Sequence, residues 1–191
     1  DPGFPSSALA PRSASGELPV QGPTVGVTSP DGAWVLVVNR ESRTLTAIPA
    51  TSRTSNQEEF DKSGSSIAFA GEVGAGADGI AVDSKGLTAY VYNQFDHRID
   101  QVTLGSTDFV VHPVATVATD VLTPRLAEGR RLFFDARDAR MSAANTNVAC
   151  STCHLEGRDD GHVWSFPDGP RQTPGLAGRH LLATAPYHWT G

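Results

Sequence analysis

Short apolar runs separated by turn-forming residues dominate the chain from residue 24 to about residue 119. β-Branched and aromatic residues occur there in small groups bounded by Gly, Asp, Asn and Ser, which is typical of antiparallel strands joined by tight turns. Before them, residues 1–23 contain five prolines and many small polar residues without helical or strand periodicity. We therefore predict a loose arm or linker over 1–23 and an all-β segment over 24–119.

This β segment contains an internal repeat. Residues 25–32 and 34–39 align with residues 79–86 and 88–93 at a constant offset of 54 positions. In each copy a strand leads into a turn closed by glycine, a second strand ends at asparagine, and a third strand follows. Glycine and asparagine suit such turns because they adopt positive φ angles at little cost. The third strands are predicted at 44–48 and 99–104.

The repeat resembles the blades of tandem-repeat β-propellers that carry a PDG…YVxN pattern. Residues 29–32 (SPDG) and 37–39 (VVN) fit this pattern, whereas residues 83–86 (DSKG) lack the proline. The resemblance covers residues 24–104 and implies two propeller-like blades, and a small sandwich of two similar hairpins is the alternative. Because a propeller has about four to eight blades and open blade edges invite aggregation, we expect a fragment of a longer protein, or another chain that completes the propeller.

The pattern changes from strand to helix after residue 119. Thr123 followed by Pro124 is a favourable helix start. Three residues then lie along one helical face, which predicts a helix to about residue 136. They are Leu126, Gly129 and Phe133.

The C-terminal part of the chain is poor in regular patterns. From residue 150 it is rich in Gly, Pro and Asp, and one short helix at its cysteines is the only element predicted there. The roughly 70 residues from residue 120 onward therefore bury too little apolar surface to fold alone, so a large attached cofactor is expected to supply the core. The predicted fold class is α+β multidomain, with antiparallel β blades over 24–119 and a mostly α cytochrome c-type domain over 120–191.

The most specific motif is formed by the only two cysteines. Cys150 and Cys153 precede His154 in a Cys-x-x-Cys-His sequence, the spacing used for covalent attachment of a c-type haem. Two thiols three positions apart at a helix start lie on one side and can each add to a porphyrin vinyl group. The adjacent imidazole can then bind the iron as an axial ligand. A zinc site, a thioredoxin-like dithiol and a strained disulfide are the alternatives.

A family resemblance extends beyond this motif. Four short segments, in order, resemble the first haem domain of the di-haem cytochrome c peroxidase family: GRRLF at 129–133, the haem motif at 150–154, GPRQTP at 169–174 and HWTG at 188–191. That family includes quinone-maturing relatives and members fused behind a β-propeller. The resemblance implies a second haem domain, in the parent chain or in another chain. It also implies that Trp189 lies between two haems, although Thr190 replaces the aspartate of the family.

The second axial ligand of the iron is chosen among several residues. His188, beside the tryptophan matched to the family, is the first choice and would complete the metal ligand set with His154. His162 is the second choice and water the third, whereas Met141 is interpreted as a core filler near the haem edge. Arg171 is expected to pair with a haem propionate. No catalytic residue is assigned.

Composition limits the partners. The 191 residues carry a formal net charge of -6, which offers no basic surface to a phosphate backbone. No apolar run approaches the ~20 residues of a membrane-spanning helix. We therefore expect a redox partner protein, with neither nucleic acid binding nor a membrane span.

These observations predict a protein that transfers single electrons through a His-ligated, covalently bound haem. One alternative is the haem domain of a di-haem peroxidase or oxidase that reduces hydrogen peroxide, and another is a non-redox interaction platform built on the β repeats. Because haem of this kind is attached outside the cytoplasm, the family resemblance implies the periplasm or outer surface of a bacterium.

Overall fold

The computed structural model describes residues 12–13, 16–17, 20–50, 69–86, 88–104, 109–141 and 147–177. The chain divides into two compact units, Asp1–Ala149 and Cys150–Gly191, and each is considered by itself. Within the described ranges no helix is long and apolar enough to cross a membrane.

Strands form most of the described part of the first unit. In chain order its elements are β1 (Arg12–Ser13), β2 (Gly16–Glu17), β3 (Pro23–Thr28), β4 (Trp34–Asn39), β5 (Thr44–Pro49), β6 (Phe69–Glu72), β7 (Ala77–Val82), β8 (Thr88–Asn93), β9 (Arg98–Leu104), β10 (Phe109–Thr116) and α1 (Pro124–Phe134). β1 pairs with β2, and the other strands form two antiparallel sheets in the orders β3-β4-β5-β6 and β7-β8-β9-β10. Four consecutive strands in a meander are the arrangement of a propeller blade. We call β3–β6 blade 1 and β7–β10 blade 2.

The sequence repeat corresponds to the first three strands of each blade. Gly32 and Gly86 close equivalent turns with φ angles of 70° and 72°, a region that favours glycine. The Gly32 amide donates to the carbonyl of Ser29 at 2.9 Å, and the Gly86 amide donates to the carbonyl of Asp83 at 3.0 Å. The antiparallel strands lie where the repeat predicted them, and a fourth strand follows in each blade.

Each second strand ends at a fully buried asparagine, Asn39 or Asn93. The side-chain amide of Asn39 donates to the Thr44 carbonyl at 3.3 Å and to the Thr46 hydroxyl at 3.2 Å. Such bonds offset the cost of removing the amide from water. In blade 1 they also join the end of β4 to β5, which accounts for an asparagine at this position of the repeat.

The two blades pack face to face around one hydrophobic core. The Thr24 hydroxyl in β3 donates to the carbonyl of Ala77 in β7 at 3.2 Å. Both blades contribute buried apolar side chains, whose removal from water stabilises the fold. They are Leu36, Val38, Leu45 and Ala47 in blade 1, and Ala77, Ala89, Val91, Val102 and Leu104 in blade 2.

A buried carboxylate organises one end of blade 2. Asp100 is fully buried and accepts the Gly74 amide N–H at 3.0 Å. It also accepts the Arg98 Nε–H at 2.7 Å, and this hydrogen bond raises the pKa of the Arg98 guanidinium above its ordinary value. Nearby, Asp96 pairs with Arg131 of α1 at 2.8 Å. Charged hydrogen bonds of this kind satisfy a carboxylate that burial alone would destabilise.

Strand β10 forms the outer edge of blade 2 in the described sheet. Its pairing with β9 is interrupted by a bulge between Pro113 and Ala115. Proline has no N–H to donate to a strand ladder and is therefore confined to edge strands and bulges.

Helix α1 begins at Pro124 after Thr123, as predicted, and ends at Phe134, two residues before the predicted limit. The ring of Phe134 lies 5.2 Å from that of Phe95, and the Arg40 guanidinium lies 4.9 Å from the Phe134 ring. Directly after the helix, the Ala136 amide donates to the carbonyl of Glu41 at 2.9 Å. Aromatic, cation–π and backbone contacts therefore hold α1 against turns of the blades within the first unit.

The second unit differs from the predicted one. Its described elements are α2 (Cys150–Cys153), a 3₁₀ turn (Leu155–Gly157), β11 (Val163–Phe166) and β12 (Gly169–Gln172), and the two strands form an antiparallel hairpin. The prediction of an α+β chain with a mostly α cytochrome c-type domain after residue 119 was wrong. Antiparallel sheet dominates the described chain, and α1 and α2 are its only α-helices.

The sequence explains why helices are scarce in the second unit. Gly157, Gly161 and Gly169 all have positive φ angles, of 77°, 67° and 112°. Such backbone conformations interrupt a right-handed helix. The glycines recur every few residues and leave room only for short turns and a hairpin.

A pair of glycine substitutions tests the packing between turns in the first unit. Gly76→Ala is expected to lower the free energy of unfolding more than Gly32→Ala, although both residues have φ near 70°. A Cβ at Gly32 meets no atom within 4 Å, whereas one at Gly76 lies 2.7 Å from the backbone nitrogen of Phe95. The left-handed backbone costs about 1–2 kcal/mol in both variants, and overpacking adds about 1–3 kcal/mol only in Gly76→Ala. Urea denaturation measures the difference, and equal losses would contradict the described contact.

Candidate functional site

The cysteines and the following histidine are held on a single turn of helix. Cys150 and Cys153 begin and end α2, and the Cys150 carbonyl accepts the His154 amide N–H at 2.9 Å. Residues three apart on a helix lie on the same face. Neither cysteine is in a disulfide, and both are half-buried. The turn thus presents two nucleophilic sulfur atoms together, with the imidazole directly after them.

The backbone reverses immediately after this histidine. Glu156 and Gly157 have φ angles of 50° and 77°, and the Gly157 amide donates to the His154 carbonyl at 2.9 Å. The Gly157 carbonyl then accepts the amides of Leu176 and Ala177, both at 2.7 Å. These bonds tie the turn beside His154 to the far end of the described part of the unit.

The imidazole of His154 has an unusual environment. The ring is half-buried, and its Nδ1 atom is fully buried without a hydrogen-bond partner in the described structure. A buried polar atom left unpaired costs free energy. A histidine that binds a metal uses one ring nitrogen for the metal and the other for an outer partner. Two cysteines outside any disulfide and an incompletely satisfied imidazole therefore fit the donor set of a covalently bound haem.

The second unit exposes much apolar surface. Ser151 is the only buried residue among 150–177. Five large apolar side chains are between 39% and 58% exposed: Leu155, Val163, Trp164, Phe166 and Leu176. Covering such surface is favourable, and a porphyrin ring supplies a flat apolar face of the required kind. The apolar exposure of the unit also fits a haem.

Arg171, the predicted partner of a haem propionate, lies in β12 of the hairpin. Its Nη2 is 3.3 Å from the Asp168 carboxylate, and its guanidinium is 5.9 Å from the Phe166 ring. The side chain is half-exposed, so its ion pair with Asp168 is screened and weak. The guanidinium has further N–H donors for a second carboxylate, and the propionate contact stays a prediction.

An acidic turn precedes the same hairpin. Asp160 accepts the His162 amide at 3.0 Å and the Trp164 indole N–H at 2.8 Å. The His162 amide is the main cause that lowers the pKa of the Asp160 carboxyl, with smaller contributions from Trp164 and Thr173. His162 itself is exposed and meets the Trp164 ring edge to face at 4.6 Å.

This hairpin was not predicted from the sequence. Its signal lies in the β-branched and aromatic residues at 163–166, followed by Pro167-Asp168-Gly169, a composition typical of a tight turn. The contact between Asp160 and Trp164 had no separate sequence signal.

Not all of the residues predicted to accompany the motif fall within the described part of the chain. His188 and Trp189 lie outside the described residues. Met141 lies in the first unit and is 46% exposed. Within the described ranges, no three His, Cys, Asp or Glu side chains are arranged to hold a metal ion.

Comparison with known proteins gives no family for the chain. No family model matches it, and no curated protein matches it. Among solved structures, it is similar to hydrazine synthase from Kuenenia stuttgartiensis, with 19% identity, a TM-score of 0.39, and coverage of 48% of this chain and 22% of that one.

Two further similar structures have comparable values. A dihydro-heme d1 dehydrogenase in complex with DHE is 18% identical, with a TM-score of 0.36 and coverage of 56% and 19% of the two chains. A 6-phosphogluconolactonase-like protein from Bacteroides fragilis is 19% identical, with a TM-score of 0.37 and coverage of 52% and 28%. The present chain thus spans less than a third of each of these structures.

The described fold corrects the resemblance to the di-haem cytochrome c peroxidase family, which no family model supports. The motif at 129–133 belongs to α1, which packs on the blades, and the motif at 169–174 begins with a strand. The short motifs follow the order seen in that family. The helical domain that contains them there is not found among the described residues of this chain. The chain is a predominantly antiparallel β-sheet protein whose blades are propeller-like.

Proposed function

We propose that this chain binds a haem covalently through Cys150 and Cys153 and transfers single electrons with His154 as an axial ligand. The observation that carries the proposal is the pair of cysteines, outside any disulfide, on one helical turn, followed by a half-buried imidazole with an unpaired Nδ1. Haem c, when bound, supplies an iron that accepts and releases one electron.

Each residue of the motif has a distinct task. When haem is supplied, the S–H group of each cysteine would add across one vinyl double bond and give a thioether without oxidation or reduction. The neutral imidazole of His154 offers one nitrogen to the iron. Its backbone is fixed by the bond to the Cys150 carbonyl, which limits the positions that the ring can take.

The rest of the second unit shields and orients the group. The exposed apolar side chains, with Trp164 and Phe166 on the hairpin, exclude water from the ring and so influence its potential. We assign Arg171 to a propionate, and His188 to the second axial position with His162 as the alternative. A redox partner protein and a location in the bacterial periplasm or outside the cell belong to the same proposal.

The proposal is tested by producing the chain with a haem-attachment system. We expect the intact mass to equal the polypeptide plus one haem, and a reversible one-electron titration of a low-spin spectrum. An unchanged spectrum with peroxide or carbon monoxide supports electron transfer, whereas a shift indicates an open axial position and favours peroxide chemistry. A colourless protein with the mass of the bare polypeptide would refute the proposal.

His154→Ala is expected to keep both thioethers and to lose the low-spin spectrum, because an axial ligand is removed. His112→Ala provides a matched control, since His112 is exposed on β10 of the other unit. Absorption spectra of the reduced proteins distinguish the His154→Ala variant from the His112→Ala control. Identical spectra for the His154 variant and the unchanged protein would contradict the assigned ligand.

A further inference from the structure

The packing of the two blades joins two different faces of the repeated sheet. Successive side chains of a strand point to opposite faces. Leu36 and Val38 in β4 lie on what we call face A of blade 1. Ala89 and Val91 in β8 lie on face B of blade 2. All four are fully buried in the core that the blades share.

The sequence repeat identifies these faces in both blades. At the offset of 54 residues, Leu36 and Val38 correspond to Tyr90 and Tyr92, which therefore mark face A of blade 2. The same offset places Val35 and Val37 on face B of blade 1. Each blade thus has an A face and a B face, and the observed interface joins face A of blade 1 to face B of blade 2.

Equivalent positions differ strongly in exposure. Leu36 and Val38 are 0% exposed, whereas Tyr90 and Tyr92 are 41% and 36% exposed. Exposed apolar patches of this kind mark interaction surfaces, and tyrosine combines a large apolar area with a hydroxyl that tolerates water.

The neighbours of these tyrosines extend the same surface. Gly79 and Ala81 in β7 lie opposite Tyr92 and Tyr90 in the sheet register, and small residues leave the rings accessible. On the other side, Ile99 lies opposite Tyr92. Face A of blade 2 is therefore a shallow surface of two rings bordered by small and aliphatic groups.

Face B of blade 1 has matching chemistry. Val35 pairs with Ile48 and Val37 pairs with Thr46 across β4 and β5, while Gly26 lies opposite Val37 in β3. Thr46 is already buried within the chain, whereas the two valines and Ile48 are only half-buried and Gly26 is exposed. These small aliphatic residues are of the same type as Ala89 and Val91, which cover face A within the chain.

We propose that face A of blade 2 docks onto face B of blade 1 in a second copy of this chain. In this contact between copies, face A meets face B at the same repeat positions as in the interface between the two blades of one chain. The contact therefore continues that interface. It is head-to-tail, because the two faces differ, and such contacts close into rings when the rotation permits. The proposal is independent of the haem function.

The test uses the purified chain and light scattering after size exclusion. We expect a mass that is a multiple of the monomer and decreases on dilution. Tyr92→Glu, on face A, and Gly26→Glu, on face B, should each give monomers. A Cβ at Gly26 has neighbours no closer than 3.5 Å, so this variant keeps the fold, and circular dichroism checks both.

Mixing the two variants provides the decisive measurement. Each retains one intact face, so an equimolar mixture should form dimers and nothing larger. Val121→Glu is the matched control, because Val121 is 96% exposed and lies in neither face; it should associate like the unchanged chain. A monomeric unchanged chain, a Gly26→Glu variant that still associates, or a mixture that stays monomeric would overturn the proposal.

Discussion

Replacing both Cys150 and Cys153 by serine is expected to abolish covalent haem attachment completely. Serine keeps the size and polarity of the side chain but lacks the nucleophilic sulfur, so no thioether can form. The helical turn depends on a backbone bond between Cys150 and His154, which the substitutions leave in place. The polypeptide should therefore fold similarly and carry no haem after denaturation and mass spectrometry.

The single variants refine this expectation. Cys150→Ser and Cys153→Ser should each retain one thioether, with lower yield and a shifted absorption maximum. Met141→Leu removes the only other sulfur of the chain and should bind haem in full. Complete attachment in the double variant, or its loss in Met141→Leu, would show that the motif is not the attachment site.

The second large effect concerns stability of the first unit. Asp100→Ala is expected to lower the free energy of unfolding by about 3–5 kcal/mol, the range for breaking a buried charged pair. The substitution leaves the amide of Gly74 and the guanidinium of Arg98 without their acceptor, and Arg98 is itself only 33% exposed. It also leaves a space where the carboxylate was packed.

Urea denaturation followed by circular dichroism measures this loss. Glu128→Ala is the control, because Glu128 pairs with Arg140 and the two side chains are 47% and 64% exposed. Solvent screens such a pair, so the control should change the unfolding midpoint little. A loss in Asp100→Ala no greater than in the control would show that the buried network contributes nothing to stability.

The repeat made the blades predictable from sequence. The strands at 34–39 and 88–93 have the predicted limits, because runs of β-branched and aromatic residues and glycine turns are local signals. The fourth strands had no such signal. In blade 1, residues 50–68 separate β6 from β5 in sequence, and the position of β6 depends on its pairing with β5 rather than on its own residues.

The position of α1 and the form of the second unit were harder to predict. The start of the helix has a local sequence signal and was predicted. The packing of the helix, however, depends on Phe95, which is distant in sequence. The expected helical domain came from short motifs rather than from periodicity, and the glycines of the second unit favour turns instead. The cysteine motif itself is local, and its helical turn was predicted correctly.

The proline and bulge in β10 limit how copies of this chain can meet. A regular outermost strand would offer a row of amides and carbonyls to any other extended segment, and sheets could then grow side by side into fibres. Pro113 removes one N–H donor from that row, and the bulge between Pro113 and Ala115 shifts the next backbone groups out of register. The addition of further strands at this edge is thereby hindered, which favours solubility at high protein concentration. Contacts between copies then depend on side chains.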